Sequence, residues 1–245
     1  MDLNHQVALV TGGTAGIGLE TARLLADDGA DVIITGRNAE NGKAALNALG
    51  DCRSVRFVQT DLADLVSVNH LINQTGPVDV IVNNAGAFPF APTVAQDSLS
   101  YDRIFDTNVR GPFYLVANFI PYMLQRDPGA PSASIVNVSS LTTAKGLPCA
   151  SVYSASKAAL ESLTRSWAVE FAPAVRVNAV APGPTRTEGV LHEWGEKVED
   201  FGRATALGRT ARATEIAEVI AFLASPRASY VTGAIVRADA GASVC

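Results

Sequence analysis

The segment Thr11-Gly12-Gly13-Thr14-Ala15-Gly16-Ile17-Gly18 constrains this chain more than any other, because of what flanks it. The apolar run Val7-Ala8-Leu9-Val10 precedes it, and a helical pattern through Leu19, Ala22, Leu25 and Ala26 follows. A short buried strand that passes through a glycine-rich turn into a helix aims free backbone N–H groups and the positive end of a helix dipole at one spot. Such a spot is a cradle for a pyrophosphate. Gly12 and Gly16 permit the tight turn and the close approach of the anion, and Gly18 lets the helix pack near the strand. The alternative is a flexible glycine turn with no ligand, and the strand before it and the helix after it weigh against that.

The rest of the chain repeats the alternation. Apolar runs at Val7–Val10, Val32–Thr35, Val55–Val58, Val78–Val82, Ile135–Val138, Val175–Val180 and Ile235–Val236 predict seven strands, most of them separated by helical stretches. No internal repeat or low-complexity linker interrupts them. Strands that alternate with helices build a parallel sheet whose right-handed crossovers cover both faces. At 245 residues, 48% of them hydrophobic, a single domain spanning 1–245 can bury the core this needs.

Charge and composition exclude several classes. The 24 acidic residues outnumber 19 basic ones for a net charge of −5, and no basic run is interleaved with aromatics, which argues against a nucleic-acid partner. No apolar segment approaches the roughly 20 residues that span a bilayer, and the N-terminus has no basic region leading into a signal-peptide core. No membrane partner is therefore expected, and the expected location is cytoplasmic. Cys52, Cys149 and Cys245 are odd in number and far apart, as reduced thiols are, and His5, His70 and His192 are equally scattered, so no metal site is expected. Cys149, one helical turn before Tyr153, is read as a small packing residue, with contact to a substrate as the alternative.

Chemistry concentrates further along. Tyr153 and Lys157 stand four residues apart, which on a helix places their Cβ atoms about 6 Å from each other on one face. An ammonium there stabilises a phenolate. Bringing a phenol from about 10 to about 7 takes roughly 4 kcal/mol, within reach of a fixed cation acting with a positively charged cofactor. Ser140 lies just past the strand Ile135–Val138, at the sheet edge where open α/β folds bind ligands, and a hydroxyl there can donate to a substrate oxygen.

Taken together, these motifs resemble the short-chain dehydrogenase/reductase family over nearly the whole chain. Thr11 to Gly18 matches the family's TGxxxGxG loop and Asn83-Asn84-Ala85-Gly86 its NNAG segment. Asn108 matches its helix asparagine, Ser140 with Tyr153 and Lys157 its serine and YxxxK pair, and Pro182-Gly183 the stretch after the sixth strand. The resemblance implies an α/β fold: a single-domain, Rossmann-type, doubly wound parallel sheet of seven strands in the order 3-2-1-4-5-6-7. It also implies a homotetramer, associating through the last strand and two long helices near Tyr101–Gln125 and Val152–Phe171.

The same resemblance implies an enzyme that moves a hydride between a nicotinamide and a carbonyl or secondary alcohol. Tyr153 would exchange the proton, Ser140 would hydrogen-bond the reacting oxygen, and Lys157 would lower the phenol's pKa while holding the nicotinamide ribose. Asn108 would hold a water that links the lysine to solvent. The cofactor would lie along Gly12, Thr14, Gly16, Ile17 and Gly18, with Arg37, Asn38, Asp61 and Leu62 at the adenosine end. Asn83, Ala85 and Gly86 would line its path, and Pro182, Gly183, Thr185 and Thr187 would hold the nicotinamide end. An alternative role for Asp61 is to cap the helix that follows it.

Ile34-Thr35-Gly36-Arg37-Asn38 sets the cofactor expectation. Glycine stands where an acidic residue would hold the ribose 2′-hydroxyl of NAD, and the arginine after it suits the 2′-phosphate of NADP. NADP is expected over NAD, although Ala15 departs from the basic residue many NADP-dependent relatives carry there. The substrate expectation is a hydrophobic small molecule. Val190, Leu191, Trp194, Val198 and Phe201 give the stretch 188–206 an apolar stripe suited to a lid, and Phe88, Pro89 and Phe90 add an apolar wall. Reduction of 3-oxoacyl groups on acyl carrier protein is less favoured, because Phe171-Ala172-Pro173-Ala174 lacks the basic residue those reductases usually present. An NAD-dependent alcohol dehydrogenase and, as the least favoured reading, a non-catalytic dinucleotide sensor compete with it on the same fold.

Overall fold

A computed structural model describes residues 3–50, 54–126 and 132–244; Cys52 and Cys245 lie outside the described residues. The first half alternates β1 (Val7–Val10), α1 (Gly16–Asp27), β2 (Asp31–Gly36), α2 (Ala39–Leu49), β3 (Val55–Gln59), α3 (Leu65–Thr75) and β4 (Val80–Asn83). Next come α4 (Ser98–Phe105), α5 (Gly111–Met123), β5 (Ala133–Val138), α6 (Ser151–Glu170) and β6 (Val175–Pro182). The last part holds β7 (Thr185–Arg186), α7 (Glu188–Trp194), α8 (Lys197–Arg203), β8 (Ala211–Arg212), α9 (Ala213–Ala224) and β9 (Ile235–Ala238).

Seven strands form one parallel sheet in the order β3-β2-β1-β4-β5-β6-β9, which is the expected order with β9 as the seventh strand. Strand parity divides the core. Ala8, Val10, Val32, Ile34, Val80 and Val82 face α1 and α9, whereas Leu9, Ile33, Ile81, Ile135 and Val177 face α3, α5 and α6. Both faces are buried, which is why these strands read as unbroken apolar runs rather than as alternating ones. After β3 the chain crosses to the far side of β1 to make β4, so the connections leaving β1 and β4 diverge and open a crevice at the carboxyl edge of the sheet.

Three features differ from the sequence expectation. The pair β7–β8 has no counterpart in it; each strand has two residues, too few to carry a periodicity. The helix expected near Tyr101–Gln125 is two α-helices joined by a wider π-turn at Asp106–Arg110, where the Gly111 N–H donates to the Asp106 carbonyl, and Asn108 sits buried inside that turn. The stretch 188–206, expected as a lid with an apolar stripe, is two short helices, α7 and α8, separated at Gly195 with φ of +57°. Behind the sheet, the buried Arg176 of β6 donates to the carbonyls of Leu223 at 2.8 Å and Ser225 at 3.0 Å, placing a cation against the carboxyl end of α9. Among the described residues no helix is long and apolar enough to cross a membrane.

Candidate active site

The crevice at the carboxyl edge encloses about 1150 Å³ and runs from Arg37 past the glycine loop to Tyr153. Gly12 makes the first turn with φ of +63°, and a Cβ there would stand 2.9 Å from the Cα of Ala85. Gly18 works differently: its Cβ would fall 2.3 Å from the Gly12 carbonyl, so it admits α1 against the turn and does not line the crevice. Gly12, Thr14, Gly16 and Ile17 do line it. Asn84 ties the second loop to the first, its Nδ2 donating to the carbonyls of Thr11 at 2.9 Å and Gly12 at 3.0 Å. Asn83 corrects the sequence expectation. It is 1% exposed and donates from Nδ2 to Asn137 Oδ1 at 2.8 Å within the sheet, and its neighbours Asn84, Ala85 and Gly86 face the crevice instead.

At the adenosine end Arg37 lies exposed on the lip, its carbonyl fixed by Gln59 Nε2 at 2.9 Å. A Cβ on Gly36 would stand 2.8 Å from Thr14 Cγ2, so the glycine lets the Thr14 side chain pack against the end of β2. Asn38 caps α2, its Oδ1 accepting from the N–H groups of Glu40 at 2.7 Å and Asn41 at 3.0 Å, so its side-chain oxygen serves the helix. Asp61 lines the crevice beside Leu62 and pairs with Arg103 at 3.0 Å. The cap of α3 is Asp64, which accepts from the Val66 N–H at 2.9 Å, and this replaces the capping role considered for Asp61.

The opposite end gathers the chemistry. The Ser140 hydroxyl and the Tyr153 phenol line the same end of the crevice, near enough for the hydroxyl to act on the phenol. Lys157 is 3% exposed; its Nζ donates to the Val138 carbonyl at 2.8 Å and stands 5.9 Å from the centre of the Tyr153 ring. Burial pushes the phenol's pKa up from its ordinary value, and the nearby Ser140 hydroxyl opposes that rise. Burial also lowers the Lys157 ammonium to about 8. The protein's own groups therefore do not produce the near-neutral phenol that helix spacing suggests, because desolvation outweighs the serine. Asn108 does not line the crevice: its Oδ1 accepts from the Ala87 N–H at 2.7 Å, and its Nδ2 donates to the Ala87 carbonyl and Ser156 Oγ, both at 2.9 Å. Both protons of its Nδ2 are taken up by protein partners, and its Oδ1 accepts one bond from the loop after Gly86.

Pro182, Gly183, Thr185 and Thr187 all line the crevice. Thr185 Oγ1 donates to the Gly183 carbonyl at 2.9 Å, and Thr187 caps α7 while its methyl-bearing carbon stands against Gly16. Over the reacting end lies an aromatic wall. Phe90 packs edge-on against Tyr153 at 5.5 Å and against Trp194 at 5.0 Å, and Trp194 meets Phe201 at 4.8 Å. Val190 and Val198 share that wall, whereas Leu191 does not reach it. Arg186 fastens the base of α7 and α8 through Glu196 at 3.0 Å and Glu199 at 2.7 Å. Cys149 is not the packing residue expected: it is exposed, lies outside the crevice lining and adopts φ of +67°.

Four residues of the site carry no motif that singles them out in the sequence. Asn84 is masked by Asn83, its neighbour in the same segment. Thr142 donates from N and Oγ1 to Ser140 Oγ at 3.3 and 3.1 Å, and Lys145 lines the crevice while donating to the Ala242 carbonyl at 2.8 Å. Glu161 follows Lys157 at one further helical turn, a spacing visible in the sequence. The backbone-lined turn at Gly12 and Gly16, the long crevice and the polar cluster at its end fit a dinucleotide. Among the described residues no group of three or more His, Cys, Asp or Glu side chains is placed to hold a metal ion.

Known proteins share this architecture. A family model described as enoyl-(acyl carrier protein) reductase matches residues 12–243. A cis-4-hydroxycyclohexanecarboxylate dehydrogenase of Sinomonas cyclohexanicum is 42% identical over 244 residues, covering 97% of this chain and 96% of that protein. A solved short chain dehydrogenase/reductase family protein superposes with a TM-score of 0.93 at 50% identity, covering all of both chains. A 3-ketoacyl-(acyl-carrier-protein) reductase from Brucella melitensis complexed with NADH superposes with a TM-score of 0.91 at 30% identity, covering 99% of this chain and 100% of that one.

Proposed function

The chain belongs to the short-chain dehydrogenase/reductase family, and from that premise we propose that it is an NADP(H)-dependent oxidoreductase of hydrophobic carbonyl compounds and their secondary alcohols. The observation that carries the chemistry is the convergence of the Ser140 hydroxyl and the Tyr153 phenol, with Lys157 buried one turn away, at the crevice end walled by Phe90 and Trp194. When bound, the nicotinamide supplies or accepts the hydride. In reduction, Tyr153 gives its proton to the carbonyl oxygen, and Ser140 donates a hydrogen bond to the same oxygen. Thr142 occupies the acceptor side of the Ser140 hydroxyl, which leaves the serine's single proton for that oxygen or the phenol. Lys157 keeps two N–H bonds beyond the one to Val138, and these would hold the ribose hydroxyls of the cofactor. Asn108 acts as a positioning residue that joins the loop after Gly86 to α6 through Ala87 and Ser156.

Gly36 and Arg37 on the lip support NADP, since a guanidinium pairs with a 2′-phosphate and no carboxylate stands at position 36 to hold a 2′-hydroxyl. NAD is the second reading, favoured by the relative complexed with NADH. The substrate class follows the aromatic wall, and the relative named for a hydroxycyclohexane carboxylate makes cyclic ketones the first to try. The 3-oxoacyl role keeps support from the relative named for it. Exposed Phe113 and Tyr114 on α5 and Val169 on α6 support the homotetramer expected of the family.

The test is a panel of 4-oxocyclohexanecarboxylate, cyclohexanone, aromatic ketones, diketones, quinones and an acetoacetyl thioester, each run with NADPH and with NADH. Reduction of cyclic or aromatic ketones with NADPH is the expected result. Faster turnover of the thioester moves the assignment to the acyl carrier reading, and no turnover despite tight NADPH binding moves it to a sensor. Arg37→Ser should weaken NADPH binding about tenfold, the loss of roughly one charge-assisted contact, and leave NADH binding within about twofold. Equal losses for both cofactors would remove Arg37 from the 2′-phosphate.

A further inference from the structure

We propose that Glu161 is a positioning residue that fixes the Ser140 hydroxyl against Tyr153, an inference that rests on the catalytic reading given under Proposed function. Ser140 sits not on the sheet but in the turn that follows β5, and a hydroxyl on a turn is useful only if the turn is held. Glu161 holds it from the side. Its Oε1 accepts from Ser139 Oγ at 2.6 Å and from Thr143 Oγ1 at 2.7 Å, the two residues that bracket Ser140, Leu141 and Thr142; the Thr143 hydroxyl shares its single proton with the Ser140 carbonyl at 2.9 Å and so ties the carboxylate to Ser140 itself. The Thr143 N–H closes the bracket by donating to the Ser140 carbonyl at 3.2 Å.

Both contacts are hydroxyl donors on one carboxylate oxygen, which are shorter and stronger than neutral pairs. The helix that presents the carboxylate matters as much. Tyr153, Lys157 and Glu161 follow one another at four-residue spacing on α6, so one rigid element sets the phenol, the ammonium and the clamp on the serine turn. Inside the bracket, Thr142 orients the hydroxyl itself through its own two donors. A carboxylate that only packed would leave the phenol–serine geometry to the turn alone.

The experiment uses the full chain, NADPH and the fastest ketone of the panel above, with kcat, KM and the NADPH dissociation constant measured for each variant. Glu161→Ala should lower kcat about tenfold, the scale expected for slight misplacement of a reacting group, with NADPH affinity unchanged. Glu161→Gln keeps an acceptor oxygen for both hydroxyls and should recover most of that loss. The deciding arm is the double variant with Ser140→Ala. If Glu161 acts through the serine, Glu161→Ala costs nothing further once the hydroxyl is gone. The same factor lost in both backgrounds would overturn the proposal, because a purely structural defect multiplies. Should Glu161→Ala fail to fold, the pair Ser139→Ala with Thr143→Val removes the same two donors from the turn side, and a wild-type rate there would overturn it equally. If Ser140→Ala alone turns over at the wild-type rate, or no ketone is reduced, the catalytic reading falls and takes this one with it; additive losses with a slow Ser140→Ala remove Glu161 alone.

Discussion

Replacing Tyr153 by phenylalanine should lower kcat for ketone reduction by about 10²- to 10⁴-fold, the range that a positioned proton donor contributes. The ring itself should not move. Phe90 holds it edge-on at 5.5 Å and Phe88 at 6.5 Å, contacts that do not involve the hydroxyl, so the variant loses one oxygen and keeps the shape of the crevice. Ser140 remains as a hydrogen-bond donor, but a serine has no means of releasing a proton to an alkoxide near neutral pH. NADPH affinity should stay within about twofold, because Lys157 is anchored on Val138 rather than on the phenol. Steady-state kinetics paired with a fluorescence titration of NADPH separates the two quantities. A variant that keeps more than a tenth of the wild-type kcat would show that the proton comes from elsewhere.

What the sequence discloses and what it withholds divide along the range of the interactions. The glycine loop, the strands and the Tyr153/Lys157 pair are legible because each is a local pattern: a turn that needs φ above zero, a run buried on both faces, a helical spacing. The packing role of Gly18 is legible in the same way, whereas its expected place along the cofactor is not matched, since it stands behind the turn and outside the crevice lining. Asn83 is misplaced by the motif although the information is local. Parity in β4 puts it with Ile81 on the α6 side of the sheet, where Asn137 receives it, and the next residue turns into the crevice. The π-turn around Asn108 has no such signal, since Asp106–Arg110 lies between two stretches that each read as ordinary helix. Glu161 is hidden for a different reason: its spacing from Lys157 is plain, but its partners Ser139 and Thr143 reach it only through the pairing of β5 with the rest of the sheet.

The remaining large effect separates stability from activity at Lys157. Burial lowers its ammonium from an ordinary value of 10.5 to about 8. The folded state thus binds fewer protons than the unfolded state between pH 8 and 10.5, so this residue makes stability rise with pH across that window, and its full cost is present below about pH 8. That cost is on the order of 3 kcal/mol, and losing the bond to the Val138 carbonyl returns roughly 1–3 kcal/mol of it as an unsatisfied acceptor. Lys157→Met should therefore be as stable as the wild type at pH 7, or more stable by up to about 2 kcal/mol, a rise of roughly 4–8 °C at 2–4 °C per kcal/mol for a chain of this size. The advantage should shrink as pH rises from 8 to 10.5, when the wild type sheds its buried charge. The same variant should lose activity by about 10²-fold or more, since the phenol then has no cation beside it and the cofactor ribose no ammonium to hold it. Thermal melts of both proteins without cofactor at pH 7 and pH 9.5 read the effect directly. A variant less stable at pH 7, by a margin that does not change with pH, would mean the ammonium is a stabilising part of the fold. A residue that weakens the fold and is indispensable to turnover is the signature expected of a charge kept for chemistry.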